Sequence, residues 1–302
     1  MELSIIIVSF NTSDLLRKCL NKVYKSLSFG KIEKMSEVIV VDNGSTDDSV
    51  SMIQKNFPKV EVIKNDKNLG FSKANNLGMK KASGKYILLL NSDTEIKNDA
   101  LDKLLETIKN DDKIGVVGGK LLNNDGSLQP STGFFPNIDK VFFWMFFIDD
   151  IPLLNKILKP YHAEDKSFYE KTQQVDWVSG ACFMLRREVI ENVGFLDENI
   201  FMYGEELEWC YRIKSSGFKV IFAPEVHILH LKGASGGLST AGILEEYKAL
   251  LYFYKKHKPT WQFPVLRLIL MSGALLRILI FGIIGSYKAR LPLYAKAIQL
   301  VR

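Results

Sequence analysis

An α/β fold with a mainly parallel central sheet flanked by helices is predicted by three features of the 302-residue chain. Short runs rich in Ile, Val and Leu alternate with amphipathic stretches across the first hundred residues, as βαβ units do. Two of those runs stop abruptly at a carboxylate, Asp42 and Asp93. Apolar residues make up 47% of the chain, enough for a full core, and the three cysteines, Cys19, Cys182 and Cys210, show no paired spacing. That usage argues against a disulfide framework or a zinc site, and for a reducing compartment.

Residues 3–10 read as a buried strand, and Asn11-Thr12-Ser13-Asp14 caps a helix over 15–27. A second strand, 37–41, ends at Asp42-Asn43-Gly44-Ser45-Thr46-Asp47, with a helix running on to 57. A third strand spans 60–64, and the stretch Asn68-Leu69-Gly70-Phe71 through Asn76 opens a helix to 81. The central run 86–90 is long enough for a strand buried on both faces and is stopped by Asn91-Ser92-Asp93. A helix over 101–110 and a strand over 114–119 follow; 125–139, rich in Gly, Pro, Ser and Asn, reads as a loop. The aromatic run 141–148 is either a core element or an exposed apolar lip, and the lip is preferred. Strand-like sequence at 175–185, a loop over 194–203, a helix over 205–215 and a short strand at 220–222 complete a domain of residues 1–240.

A strand-end carboxylate is delivered to the carboxyl edge of the sheet, where open α/β sheets bind ligands. Asp93, with the Asn91 amide two residues before it, suits a hard divalent cation that also holds phosphate oxygens; the plainer alternative is a cap or turn before the next helix. Asp42 can accept from a nucleobase or ribose, or can simply cap its helix. The Gly70 loop places backbone N–H groups near a helix start, where anions are stabilised. Glu205 and Glu206 either complement a helix dipole or supply a general base for an acceptor hydroxyl. Arg212 lies within reach of a carboxylate or a diphosphate. His230 can complete an Asn/Asp/His cation site, His227 reads as a strand residue, and His162 and His257 have no recognisable context.

The ordered set Ser9-Phe10-Asn11, Asp42 to Asp47, Asn68 through Asn76 to Asn91-Ser92-Asp93, and Gly204-Glu205-Glu206 with His230-x-x-Gly233-x-Ser235 is distinctive. It resembles the inverting family-two glycosyltransferases of the GT-A (nucleotide-diphospho-sugar transferase) fold, most closely the rhamnosyltransferase-like branch, over residues 3–240. The resemblance implies that Asp42 contacts the base of a nucleotide-sugar. It places Ser9, Asn11, Asn43, Gly70, Asn76, Asn91, Ser92, Asp93 and Arg212 around the donor. It further implies that Asp93, with Asn91 and His230, holds Mg²⁺ or Mn²⁺, and that Glu206, preceded by Glu205, is the catalytic base. Two positions depart from the pattern: Asn91 stands where the metal motif begins with Asp, and Glu205-Glu206 replaces Glu-Asp. Gln173-x-x-Asp176-Trp177 is similar to the Gln-x-x-Arg-Trp of processive synthases, but it carries Asp for Arg and precedes the base, which argues against a processive polymerase. A sugar-phosphate nucleotidyltransferase would want a Gly-rich basic loop after the first strand, where Asn11-Thr12-Ser13-Asp14 stands. An inactive glycan-binding or scaffold protein is the rival outside enzymes.

The net charge is +6, and much of the basic excess lies late in the chain. Residues 263–287 are apolar but broken by Arg267 and Arg277. The uncharged pieces are too short to cross a bilayer, which takes about 20 residues. Arg267, Gly273, Arg277 and Lys288 fall within one arc of a helical wheel. The extension 241–302 is therefore expected to be helical and amphipathic, a broad apolar face with a basic stripe, and to lie in the membrane interface, Trp261, Tyr287 and Tyr294 at headgroup depth. Packing on the enzyme or on a second subunit, as in a homodimer, is the alternative. No signal peptide is legible, so a peripheral position on the cytoplasmic face is expected. The partners implied are a dTDP-rhamnose or UDP-sugar donor, a polyprenyl-diphosphate-linked glycan acceptor and a membrane surface, with no nucleic acid.

Overall fold

The computed structural model describes residues 1–151, 154, 158–231, 239–283 and 290–302. Gly233, Ser235, Tyr287 and Lys288, named above, lie outside the described residues. The frame is a mixed sheet of ten strands. One half runs β3 (Glu61–Lys64), β2 (Ser36–Asp42), β1 (Leu3–Ser9), β4 (Tyr86–Asn91), all parallel. Beyond β4 comes β11 (Cys182–Arg186), antiparallel to β4 and to the next strand, β6 (Ile114–Leu122). Then β12 (Lys219–His230) runs parallel to β6, and β5 (Thr94–Ile96) closes the edge antiparallel. The small strands β7 (Leu128–Gln129) and β9 (Gln173–Val175) add to β6 and β12, while β8 (Thr132–Gly133) and β10 (Trp177–Val178) pair separately.

Side chains of β1 alternate between two cores, which is why its sequence is an unbroken apolar run. Ile5 and Ile7 pack with Leu16, Leu20 and Val23 of α1 (Ser13–Phe29), on the face also covered by α2 (Ser49–Asn56) and α4 (Ala100–Lys109). Ile6 packs with Ala74 and Met79 of α3 (Phe71–Lys81) on the other face. That second core takes in Trp209 of α7 (Glu205–Ser215), which follows α6 (Arg187–Val193). It also takes in Tyr247, Leu250 and Phe253 of α8 (Ser239–His257), Leu266, Leu270 and Ala274 of α9 (Gln262–Ile283), and Tyr294 and Ala297 of α10 (Leu291–Val301). Residues on both sides of position 240 therefore share one hydrophobic cluster.

Two expectations are corrected. The aromatic run is mainly α5 (Ile138–Met145), with Val141 and Met145 fully buried and only Phe142 exposed. It is a core helix with one wet edge, not a lip. In α9 the described residues of the basic arc, Arg267, Gly273 and Arg277, meet protein rather than a membrane interface. Arg277 is 5% exposed and donates to the carbonyls of Met145 and Trp144 while its guanidinium stacks over Phe147, 4.4 Å from the ring centre. Arg267 donates to Val301 O at 2.6 Å. These carbonyls lie near the ends of α5 and α10, where backbone acceptors have no helical partner, and arginine is the side chain that reaches them. Arg277→Ala should therefore strand the Met145 carbonyl, while that of Trp144 keeps the Phe147 N–H at 3.5 Å, and cost about 1–3 kcal/mol, read as a lower urea midpoint at unchanged slope. An unaltered midpoint would mean the α5–α9 seam does not rely on Arg277.

Candidate active site

The parallel order β2-β1-β4 brings Asp42, Ser9 and the Asn91-Ser92-Asp93 turn to one sheet edge. Ser9 registers with Asp42 on one side, and Val8 with Asn91 on the other. A buried hydroxyl chain spans the gap: Ser9 Oγ lies 2.8 Å from Thr12 Oγ1, which donates to Ser92 Oγ at 3.1 Å. Asp42 is 3% exposed; its Oδ2 accepts from Ser45 N at 3.2 Å, while its buried Oδ1 has no hydrogen-bond partner among the described residues.

The end of β12 adds His230 to the same edge. Its Nε2 lies 3.4 Å from Asp93 Oδ1 and 3.4 Å from Asn91 Nδ2. Its Nδ1 lies 2.6 Å from Gln129 Oε1, an oxygen that can only accept. Nδ1 is therefore the donor in that contact, an outer-sphere hydrogen bond of the kind that orients metal-binding histidines, and Nε2 is the nitrogen turned toward Asp93. The 3.4 Å spacing is close to the roughly 3 Å between neighbouring ligands of an octahedral ion with bonds of about 2.1 Å. Among the described residues no third His, Cys, Asp or Glu joins the pair, so a cation here would draw its other ligands from Asn91, water and a bound anion. The donor set thus fits a hard divalent ion.

Glu205 and Glu206 open α7, behind Tyr203 (φ 68°) and Gly204 (φ 90°). A Cβ at Gly204 would stand 2.5 Å from that of Ala249 in α8, so only glycine both adopts this conformation and admits the close approach. Glu205 is 4% exposed and Glu206 half-buried; each has an Oε2 with no hydrogen-bond partner among the described residues. Burial pushes both carboxyls above their usual range, Glu205 well above it with the Glu206 charge as a second cause. For Glu206, backbone N–H groups including those of Gly180 and Gly204, and then the nearby His162, work against that rise. Exposure favours Glu206 as the carboxylate an acceptor can reach.

Several side chains that sequence reasoning missed support this pair. Burial disfavours charge on His162, but Glu246 of α8, 2.6 Å from Nε2, outweighs it and raises the histidine's pKa. Glu208, fully buried, accepts from Arg212, Lys256 and His257. Lys256 also reaches Asp197 at 2.5 Å, so α8 clamps both α7 and the loop before it. Gln129 fell in a stretch read as loop, and nothing in the spacing of these residues marks them.

Other predicted site residues serve as scaffold. Arg212 donates to Glu208 and to the carbonyls of Val193 and Phe195, so it supports its helix. Asn76, 1% exposed, both donates to Leu196 O (2.9 Å) and accepts from Leu196 N (3.1 Å), pinning α3 to the loop before α7. Asn43 accepts from Leu69 N and Asn65, shaping the loop that carries Gly70, and Gly70 sits tightly under Phe201. Asn11 accepts from Thr46 N at 2.7 Å and fixes the turn after Asp42. Asp176 of the Gln-x-x-Asp-Trp stretch pairs with Lys214.

A parallel β3-β2-β1-β4 half with carboxylates at its edge, continued by the antiparallel β11, is the frame of a GT-A glycosyltransferase. Solved structures agree on the fold. A mannosyltransferase from Pyrobaculum calidifontis, solved with GDP-Man and Mn²⁺, aligns at TM-score 0.59 and 16% identity over 98% of this chain and 73% of that one. Staphylococcus aureus TarS 1–349 with UDP-GlcNAc aligns at TM-score 0.55 and 14% identity over 99% and 91%. The chain belongs to glycosyl transferase family 2, whose model matches residues 4–194. An N-acetylglucosaminyl-diphospho-decaprenol L-rhamnosyltransferase of Mycobacterium tuberculosis is 27% identical over 267 residues, 82% of this chain and 83% of that protein. A low-salt glycan biosynthesis hexosyltransferase, Agl10 of Haloferax volcanii, is 26% identical over 76% and 67%.

The raised acidic pair fixes a sign for stability. Above the ordinary glutamate value of 4.5 the unfolded chain releases its protons while the native pair retains one, so stability falls as pH rises toward the folded values. Glu205→Gln removes that penalty. It should raise the melting temperature at pH 8 by about 2–5 °C and change it little at pH 4.5. An equal loss at both pH values would mean the carboxylate is not desolvated.

Proposed function

We propose that this enzyme transfers a single sugar, with inversion, from a nucleotide-diphospho-sugar to a hydroxyl of a polyprenyl-diphosphate-linked glycan, at the cytoplasmic face of a membrane and in cell-envelope polysaccharide synthesis. The observation that carries this reading is the convergence of an unsatisfied buried acceptor at Asp42, the Asp93–His230 pair and Glu206, whose carboxylate takes the Gly180 N–H one residue before the Ala181 carbonyl that receives Asn91 N. Two strand spacings, about 10 Å in all, lie between β2 and β4, a span that suits a nucleobase at one end and a diphosphate at the other. The donor is dTDP-rhamnose or a UDP-hexose, in keeping with the rhamnosyltransferase and UDP-GlcNAc named among its relatives.

Asp42 Oδ1 accepts from a base N–H. Asp93 and His230 Nε2, with Asn91, would hold Mg²⁺ or Mn²⁺, which would supply positive charge to the diphosphate. When bound, that cation neutralises the leaving group, which then departs without a proton. Glu206 takes the proton of the acceptor hydroxyl. The acceptor oxygen bonds to the anomeric carbon as the carbon–phosphate-oxygen bond breaks, and one base suffices. Glu205, deeper and more strongly desolvated, stays protonated and spares Glu206 a like charge. We place the acceptor where His162, close to Glu206, forms a wall of a cavity of about 650 Å³ that Trp144, Phe134 and Phe168 also line.

Replacing Glu206 by Gln tests the assignment. Transfer should fall by at least about a hundredfold. The Mn²⁺-dependent rise in melting temperature caused by a nucleoside diphosphate should persist. In the wild type, kcat/KM should decline as pH drops through the raised Glu206 value. Full activity of the variant would remove Glu206 from the chemistry, and a missing nucleotide shift in the wild type would leave a glycan-binding protein.

A further inference from the structure

We propose that the outward face of α9 docks on an anionic bilayer and lies in one leaflet, an inference that rests on a lipid-linked acceptor. Leu268, Leu275, Leu279 and Ile283 are 68%, 51%, 67% and 85% exposed. Their spacing of seven, four and four residues puts them on one stripe of the helix. A stripe of large apolar side chains in water is what interfacial helices bury. The helix is long and apolar enough, by length and composition alone, to cross a bilayer. Its inner face, however, is committed to protein: Leu266, Leu270, Gly273, Ala274 and Arg277 are buried, and a Cβ on Gly273 would collide with Met145 at 2.4 Å. Spanning would tear both arginines from their carbonyls. Lying flat keeps them.

The charge around the stripe selects the occupant. After residue 240 the chain carries ten Lys and Arg against two Glu; Arg267 and Arg277 are turned to carbonyls and Lys256 to Glu208 and Asp197, while Lys255 of α8 and Lys296 of α10 are exposed. Trp261, 64% exposed, stands just before the helix, as aromatic anchors do at headgroup depth. A second copy is the poorer occupant: four side chains of one helix fall well short of the roughly 20–30 residues per side of a stable dimer. The docked helix packs on α8, the helix that clamps Glu208 and abuts Gly204, so the membrane surface and the base-bearing helix are one α-helix apart.

The test is flotation of the purified full chain with vesicles of phosphatidylcholine alone or with phosphatidylglycerol. The wild type should float with the anionic vesicles and at least tenfold less with the neutral ones. The triple variant Leu268→Ser, Leu275→Ser, Leu279→Ser should lose at least tenfold of the anionic binding while melting as the wild type does. Leu275→Cys carrying an environment-sensitive dye should shift to the blue on anionic vesicles. Undiminished flotation of the triple variant, equal binding to neutral vesicles, or a wild-type dimer that the triple substitution dissociates would each overturn the proposal. The nucleoside-diphosphate melting shift, measured on the same samples, separates the two readings: its absence with flotation intact defeats the transferase and leaves docking standing, and the converse defeats docking alone.

Discussion

The placement of β1 between β2 and β4 is the constraint on which the site depends. Parallel pairing on both sides aligns the carboxyl ends of three strands, so that Asp42 and the Asn91-Ser92-Asp93 turn face one edge. The pairing is strong because every residue from Ile5 to Ile7 is buried, with neighbours committed to opposite cores. A slip of one residue would exchange those cores and would carry the carboxylates out of line. The edge is thus held by hydrophobic burial behind it, and its polar groups need contribute little to stability.

Around this edge the chain accepts local costs. A buried glutamate stands beside a half-buried one, Tyr203 and Gly204 occupy left-handed backbone, and Asp42 keeps an acceptor unpaired among the described residues. Such costs persist where the surroundings over-determine them. Here the surroundings are Glu208 with its three cationic partners, Asp197 with Lys256 and Tyr252, and Asn76 on Leu196. The C-terminal helices are part of this support, since Lys256, His257, Glu246 and Ala249 all belong to α8.

Much of this was legible in sequence because it is local. The first four strands and helices, the two strand-end carboxylates and the helix opening at Glu205 follow from apolar runs, caps and turn residues. The short strands β5 and β7 to β9 were not legible, since two or three residues carry no periodicity and owe their form to a partner strand. The reversed direction of β11 escaped for the same reason: Cys182–Arg186 is a buried run whichever way it pairs. Gln129, His162, Glu246 and Lys256 act through contacts across 48 to 101 residues of chain. In α9 the helical wheel grouped Arg267, Gly273 and Arg277 correctly, yet a wheel cannot say which side meets the protein. Here backbone carbonyls, not water, solvate the arginines.

The central claim is that one sheet edge gathers base, diphosphate and acceptor sites, and a structure of the enzyme with a nucleoside diphosphate and Mn²⁺ tests it most directly. The account predicts the base against Asp42, the ion bound by Asp93 and His230 Nε2, and the Glu206 carboxylate facing the sugar side of the diphosphate. A nucleotide bound elsewhere, or an ion on the edge with Glu206 turned away from it, would contradict it.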